Sequence, residues 1–123
     1  MMLALARSLP AADASVKRGE WLKSKLMGDE LNGKTLGIVG MGRIGTAVVD
    51  RAQAFGMRAL AVDPYLTADE IRMRGAQPAN LQQVLAESDY LTIHAPLASD
   101  TKGMLGAAQI ARMKDGARLI CAA

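Results

Sequence analysis

The sequence predicts an α/β protein: a truncated, doubly wound parallel sheet of the Rossmann type with an N-terminal helix. Two observations predict this fold. Short apolar runs alternate with helix-compatible stretches from residue 35 to residue 121, and such alternation joins strands through right-handed crossovers into a parallel sheet. In addition, a glycine-rich turn separates the first apolar run from the helix that follows it.

Composition sets the broad class of the protein. Half of the 123 residues are apolar, which is enough for one domain with its own core. The net charge is +3, but the lysines and arginines are scattered, so we expect no nucleic-acid partner. Residues 1–6 are apolar, yet the run is too short to span a bilayer and no basic residue precedes it. We therefore expect neither secretion nor a membrane partner.

The chain has one cysteine, Cys121. A single cysteine excludes an intramolecular disulfide and a cysteine-built zinc site, and it fits a reducing compartment. We therefore expect a cytoplasmic protein without a bound metal. Cys121 lies in an apolar run with no neighbouring base, so we expect it to be buried and structural rather than a nucleophile.

The segment before the glycine-rich turn is expected to be helical. An apolar helix over residues 1–9 would end at Pro10, and a polar stretch over residues 12–22, which contains Trp21, would form a second helix. We therefore divide the chain into an N-terminal helical segment over residues 1–30 and a Rossmann domain over residues 31–123.

Strands and helices are expected to alternate from residue 35 onwards. Gly56 and Gly116 lie where helices hand over to strands, which suits the left-handed backbone of a helix C-cap, and Asn80 lies at a helix start. Glu87 and Asp89 are expected to be solvated. The predicted strands cover residues 35–39, 59–62, 76–78, 90–94 and 117–121, and the predicted helices cover residues 44–55, 68–74, 81–86 and 107–113.

Three glycines at the end of the first predicted strand have separate mechanical roles. Gly40 lets the chain turn off the strand, Gly42 removes the Cβ that would keep the backbone away from a diphosphate, and Gly45 lets the helix lie close to the strand. Unpaired N–H groups and the positive end of the helix dipole would then face the ligand. This pattern predicts a dinucleotide site, and ordinary turn chemistry is the alternative explanation.

Asp63 ends the second predicted strand, 18 residues after Gly45. There its carboxylate can accept hydrogen bonds from both hydroxyls of the adenine ribose. It would repel the 2′-phosphate of NADP, since Pro64 and Tyr65 place no cation beside it, so we predict NAD as the cofactor. Arg43, at the helix start, is expected beside the pyrophosphate. The alternatives are a simple Asp-Pro turn and a solvated surface arginine.

The carboxyl ends of the predicted strands are expected at one edge of the sheet, where ligands of such folds bind. His94, the only histidine, ends a strand there, and we expect a hydrogen-bonded structural role at the cleft wall rather than a catalytic one. The segments expected around the cofactor are the Gly40 turn, Asp63, the corner His94-Ala95-Pro96 and the terminal Cys121-Ala122-Ala123.

Several motifs in order make the sequence resemble a known family. They are ELNGKTLGIVGMGRIG over residues 30–45, VDPY over residues 62–65, and HAPL over residues 94–97 followed by Thr101. In these motifs the chain resembles the D-isomer-specific 2-hydroxyacid dehydrogenases, and most of all their phosphoglycerate dehydrogenase branch. The likeness covers essentially the whole chain. One departure is Ala98, where the family often has threonine.

The resemblance implies a set of cofactor-binding residues in addition to Gly40, Gly42 and Gly45. They are Arg43 and Ile44 at the pyrophosphate, Asp63 at the adenosine ribose, Ala95, Pro96 and Thr101 in the cleft after the fourth strand, and Ala122 and Ala123 beside the nicotinamide.

The resemblance also implies an activity, hydride transfer between C2 of a 2-hydroxy acid and the nicotinamide of NAD(H). The family's catalytic arginine, acid and histidine would follow residue 123. We therefore expect a fragment that binds NAD weakly, contains no catalytic residue and is inactive alone. A 2-hydroxy acid would be the substrate only of the intact enzyme, and the residues do not indicate which one.

Two further functions are compatible with the sequence. One is a non-catalytic NAD-sensing module, similar to the corepressors that share this fold, and the other is an inert fragment that only self-associates. We expect a homo-oligomer, as a dimer, because the strand over residues 117–121 would be an uncovered sheet edge. The helix over residues 1–9 would likewise lack a packing partner.

Overall fold

The structure is a computed structural model, and it describes residues 1–122 of the chain. The chain forms two compact units, Met1–Leu31 and a second unit that begins at Asn32. Ala123, which we expected beside the nicotinamide, lies outside the described residues.

The first unit contains two helices, α1 over Met2–Ala6 and α2 over Leu9–Lys17. Our predicted boundary was wrong, because Pro10 lies in the first turn of α2 and does not end the helix before it. Proline suits the first turn, where its missing N–H would have no partner. The break falls instead at Ser8, which adopts a left-handed conformation with φ of 49°. The helix predicted over residues 12–22 ends early, at Lys17.

The second unit is a five-stranded, all-parallel sheet with the strand order β3-β2-β1-β4-β5. This arrangement confirms the predicted Rossmann-type α/β fold. The strands are β1 Thr35–Val39, β2 Arg58–Val62, β3 Gln77–Pro78, β4 Tyr90–Ile93 and β5 Arg118–Cys121, and the helices are α3 Arg43–Ala54, α4 Ala68–Met73, α5 Leu81–Glu87 and α6 Ala107–Ile110.

The register of the sheet brings four strand ends to one edge. Val39, the last residue of β1, pairs with Val62 of β2 on one side and with Ile93 of β4 on the other. Ile93 in turn pairs with Cys121 at the end of β5. The loops that follow these strands therefore start side by side, as expected for a parallel sheet that binds ligands at its carboxyl edge.

The core is built on the central strand. All five residues of β1 are buried, which is typical of a strand covered on both faces. A cluster of buried apolar side chains joins β1, β2 and β4 to α5, and its members are Val39, Leu60, Val84, Leu85 and Leu91. This core includes Val39, the last residue of β1, and so packs directly against the carboxyl edge of the sheet.

Local sequence signals explain most helix boundaries. Thr67 and Asn80 are the N-caps of α4 and α5, and each closes a capping box with the residue three positions later. Gly56, with φ of 73°, follows the last turn of α3, as predicted. Helix α6 is shorter than predicted and ends at Ile110.

The expectation that Glu87 and Asp89 are solvated holds for Glu87, whose side chain is 44% exposed, and was wrong for Asp89. Asp89 accepts a hydrogen bond from the Thr35 N–H at 2.7 Å and forms an ion pair with Lys114 at 3.0 Å. Burial alone would raise the pKa of Asp89, but these two partners outweigh it and lower the pKa. Glu87 forms an exposed ion pair with Arg58 at 2.7 Å. Each of these partners comes from a distant part of the sequence.

Residues 1–122 contain neither a candidate membrane span nor a candidate metal site. No helix in this range is long and apolar enough to cross a membrane. No three histidine, cysteine or acidic side chains in this range are grouped so that they could hold a metal ion.

Candidate dinucleotide site

A sharp corner follows β1. Gly40 has φ of 94°, a conformation that side-chain-bearing residues rarely adopt, and its N–H donates to the Val62 carbonyl at 3.0 Å. A Cβ on Gly40 would lie 2.9 Å from the Ala95 nitrogen, so the corner also lies close against the loop after β4. The next residue, Met41, is fully buried. We use the name glycine corner for residues 40–42.

The corner leads directly into α3. Gly42 is the N-cap of this 12-residue helix, and no side chain among the described residues caps it. The first N–H groups of α3 therefore have no intrahelical partner, and the positive end of the helix dipole is open to an anion. A Cβ on Gly42 would meet nothing within 4 Å, whereas a Cβ on Gly45 would lie 2.2 Å from the Gly40 carbonyl oxygen.

Asp63 lies against the glycine corner. Its Oδ2 accepts a hydrogen bond from the Met41 N–H at 2.8 Å, and its Oδ1 accepts one from the Tyr65 N–H at 2.9 Å. The carboxylate is half-buried, and each of its oxygens retains a second lone pair for a ligand hydroxyl. The acid is thus hydrogen-bonded directly to the glycine corner.

The structure adds a residue to the corner that the sequence did not indicate. The guanidinium of Arg74, at the end of α4, donates from Nη1 to the Met41 carbonyl. Pro64 and Tyr65, which follow Asp63 in the sequence, place no cation beside it. The folded chain nevertheless brings a guanidinium to the glycine corner from a residue 33 positions away from Met41.

A side-chain hydrogen bond joins the loops on either side of the glycine corner. The Tyr65 hydroxyl, after β2, donates to Asp100 Oδ2, after β4, at 3.1 Å. This hydrogen bond and the charge of Asp100 raise the pKa of Tyr65. Since β2 and β4 flank β1, the bond connects the two loops that neighbour the corner.

We use the name crevice for the region at the carboxyl edge of the sheet. The glycine corner and Asp63 lie on one side of it, and the loop after β4 and the end of β5 lie on the other. A cavity of about 340 Å³ lies there, lined by Ala95, Pro96, Thr101, Met104 and Cys121 among others. The Thr101 hydroxyl donates to the Pro96 carbonyl at 2.6 Å and accepts from the Ala98 N–H at 2.8 Å. Thr101 therefore shapes this loop through its hydroxyl.

The structure contradicts the prediction for Cys121 and confirms the predicted hydrogen bonding of His94. Cys121 is exposed, so the prediction that it is buried was wrong: it lies on the same face of β5 as the exposed Leu119, whereas Ile120 on the opposite face is buried. His94 Nε2 lies 3.0 Å from Thr92 Oγ1, which confirms that the ring is hydrogen-bonded. Its Nδ1 is buried without a partner among the described residues, and burial lowers the pKa of His94.

The remaining predicted site residues lie at the open edges of the crevice. Arg43 and Ile44 are exposed in the first turn of α3, and Ala122 is exposed after β5. The structure therefore places Arg43, Ile44 and Asp63 on the glycine side of the crevice and Thr101 and Ala122 on the other.

A family model described as "D-isomer specific 2-hydroxyacid dehydrogenase, NAD binding domain" matches residues 1–123. The chain belongs to this family. It is 45% identical over 120 residues to D-3-phosphoglycerate dehydrogenase from Bacillus subtilis and 43% identical to the protein of the same name from Rattus norvegicus. In each case 98% of the chain is covered, and the chain spans only 23% and 22% of those relatives' lengths.

Solved structures of this dehydrogenase family show the same fold. D-lactate dehydrogenase from Escherichia coli superposes with a TM-score of 0.88 at 32% identity over 98% of the chain and 38% of its own length. A phosphoglycerate oxidoreductase from Vibrio cholerae superposes with a TM-score of 0.90 at 28% identity over 98% of the chain and 39% of its own.

NAD is the cofactor that this family's domain binds, and the residues of the crevice fit it. The uncapped start of α3 offers N–H groups to a diphosphate, and the space beside Gly42 lets the diphosphate approach the backbone. Asp63 supplies a carboxylate that can accept hydrogen bonds from a ribose. The chain thus contains groups of the kind that a diphosphate and a ribose require.

Proposed function

We propose that this chain holds NAD(H) for hydride transfer to or from a 2-hydroxy acid. The observation that best supports the proposal is the hydrogen bond from the Met41 N–H to Asp63, because it keeps the carboxylate beside the glycine corner. When bound, the cofactor would supply the hydride chemistry. The residues of this chain would bind it, orient it and exclude water from one side.

Each residue of the crevice has a proposed role in binding. Asp63 would accept hydrogen bonds from the hydroxyls of the adenine ribose. Its negative charge would repel the 2′-phosphate of NADP. The residues proposed at the pyrophosphate are Gly40, Gly42, Arg43, Ile44 and Gly45, those proposed along the cleft are Ala95, Pro96 and Thr101, and those proposed beside the nicotinamide are Ala122 and Ala123.

The substrate of the whole protein is proposed to be a 2-hydroxy acid related to 3-phosphoglycerate. The names of the relatives at 42–45% identity support this choice. On its own, the 123-residue chain is proposed to be inactive, because the family resemblance implies no catalytic residue among its positions, and its one histidine lies within hydrogen-bonding distance of Thr92. We place the protein in the cytoplasm.

A dimer is proposed as the oligomeric state of the chain, with residues 1–30 as a helical association segment and residues 31–123 as the NAD-binding domain. Edge strand β5 leaves Leu119 43% exposed, and the first unit exposes Leu3, Leu5 and Leu9. Uncovered apolar side chains and open strand edges favour association. Size-exclusion chromatography with light scattering should give the mass of a dimer, and a monomer at all concentrations would contradict this proposal.

Calorimetric titration with NAD and NADP tests the proposed function. The wild-type chain should bind NAD at least tenfold more tightly than NADP. Asp63→Ala should lose roughly tenfold in NAD affinity, which corresponds to about 1.4 kcal/mol, and most of the preference with it. Asp69→Ala is a matched control, because Asp69 is an exposed acid on α4 that pairs with Arg72. Equal affinity of the wild-type chain for the two cofactors would contradict the proposed role of Asp63.

A further inference from the structure

The backbone of Met41 is held from two directions by side chains of other elements. Its N–H donates to Asp63, and its carbonyl accepts a hydrogen bond from the Arg74 guanidinium. The Thr46 hydroxyl also donates to the Met41 carbonyl, at 3.4 Å. Met41 itself is fully buried, so its side chain anchors the middle of the glycine corner in the core.

Arg74 reaches Met41 from a well-supported position. It is the C-cap residue of α4, whose first turn is closed by a capping box and whose Ile71 is buried. The next residue, Gly75, accepts a hydrogen bond at 2.7 Å from Gln53 of α3. The end of α4 is therefore tied to the same helix that the glycine corner begins.

The peptide group between Met41 and Gly42 links Arg74 to the predicted phosphate site. A trans peptide is planar, and its C=O and N–H point in opposite directions. No cis peptide occurs among the described residues. A guanidinium that fixes the direction of the Met41 carbonyl therefore also fixes the direction of the Gly42 N–H, on the opposite side of the plane.

This plane would otherwise rotate easily. Gly40 and Gly42 flank Met41, and glycine resists backbone rotation less than any other residue. A hydrogen bond from a charged donor is about twice as strong as a neutral one, and it polarises the peptide so that the opposite N–H becomes a better donor. Arg74 therefore opposes the flexibility that the glycines introduce.

We propose that Arg74 is a positioning residue of the dinucleotide site, which aims the Gly42 N–H at the cofactor diphosphate without touching the cofactor. The inference deepens the proposed function and rests on it for the identity of the ligand. Arg74, which lies outside the glycine motif, would keep the Gly42 N–H in place before the cofactor binds.

Arg72 provides a matched control on the same helix. Its guanidinium pairs with Asp69 at 2.6 Å, and both side chains are largely exposed, at 59% and 87%. Arg72→Met and Arg74→Met remove the same group from the same helix, but only the second removes a contact with the glycine corner. Arg74→Lys retains a cationic donor for the Met41 carbonyl.

The affinities of the 123-residue chain for NAD and for adenosine test the proposal. Arg74→Met should weaken NAD binding about tenfold and leave adenosine binding, measured by chemical-shift titration, within twofold, because adenosine has no phosphate. Arg74→Lys should recover NAD affinity to within about threefold of wild type, and Arg72→Met should change neither affinity. Equal losses for NAD and adenosine in Arg74→Met would indicate a general structural role and overturn the proposal.

A second measurement does not depend on cofactor binding. In the cofactor-free chain, the ¹⁵N order parameters of Met41 and Gly42 should fall in Arg74→Met and stay unchanged in Arg72→Met. If wild-type chain binds no NAD, the proposed function fails, yet these order parameters still report whether Arg74 holds the corner. Unchanged order parameters in Arg74→Met would overturn the positioning role.

Discussion

The two sides of the crevice at the carboxyl edge of the sheet are built differently. On the side of β1 and β2, the glycine corner is held by Asp63 and Arg74, which are 22 and 33 residues away from Met41. On the side of β4 and β5, the loop is held by the Thr101 hydroxyl through bonds that span three to five residues. That side ends in the exposed Cys121.

The difference indicates which part of the cofactor the chain is prepared to hold. Long-range hydrogen bonds to a buried residue fix the corner before any ligand binds, and preorganised groups lose little entropy on binding. A loop held by its own local bonds and by one exposed side-chain bond, from Tyr65 to Asp100, is easier to deform. We therefore expect the adenosine and the diphosphate to be held by a rigid wall, and the nicotinamide end by an adaptable one.

The largest expected effect comes from breaking the rigid side at Gly45. In Gly45→Ala, the new Cβ would lie 2.2 Å from the Gly40 carbonyl oxygen, so α3 or the corner must shift. We expect the free energy of unfolding to fall by about 1–3 kcal/mol, as for other overpacked sites. Urea denaturation measures it, and unchanged stability would show that the close contact between helix and corner is not needed.

Gly42→Ala should separate binding from stability on the same side. Gly42 has φ of −70° and open space at the position of a Cβ, so alanine should fold normally. That Cβ would occupy the space proposed for the diphosphate, and we expect NAD affinity to fall at least tenfold, or about 1.4 kcal/mol. Calorimetry and urea denaturation together measure the two effects.

Gly106→Ala is the matched control for Gly42→Ala, because Gly106 is also a glycine at a helix N-cap with room for a Cβ. It should alter neither stability nor NAD affinity by much. Equal NAD affinities of the wild-type and Gly42→Ala chains would place the diphosphate elsewhere.

Thr101→Val should loosen the adaptable side. It removes the hydroxyl that bonds Pro96 and Ala98, and a hydrogen bond of this kind contributes about 1 kcal/mol. We expect a modest loss of stability, faster amide exchange confined to residues 96–101, and order parameters at Met41 that do not change. Thr101→Ser retains the hydroxyl and should behave as wild type. Faster exchange at the glycine corner would show that the two sides are coupled.

The smallest expected effect is a pH dependence from His94. Burial lowers the pKa of His94 below its ordinary value of 6.5, so the folded chain favours the neutral ring. As the pH falls, His94 therefore binds a proton at a higher pH in the unfolded chain than in the folded chain. The contribution of His94 to the free energy of unfolding is fully present above pH 6.5 and declines below it. The ring is partly exposed, so the decline should be small. His94→Gln should remove it in urea denaturation between pH 7.5 and 5.5.

Much of the fold was predictable because it depends on local patterns. The strand predicted over residues 35–39 matches β1 without error, since a short apolar run that ends in glycine has few alternatives. The prediction at Pro10 failed because proline both ends helices and begins them. The expected burial of Cys121 failed because an apolar strand does not reveal whether both of its faces are covered.

The candidate site likewise combines features that the sequence predicted with features that only the folded chain determined. The spacing of three glycines and one acid within 24 residues was enough to predict a dinucleotide corner, because each residue acts through a backbone property or a charge that its neighbours make recognisable. The roles of Arg74 at Met41 and of Asp89 at Thr35 were decided only in the folded chain, across 33 and 54 residues. Hydrogen bonds between distant residues leave no periodic or spaced signal in a single sequence, since only the packing of the elements brings donor and acceptor together.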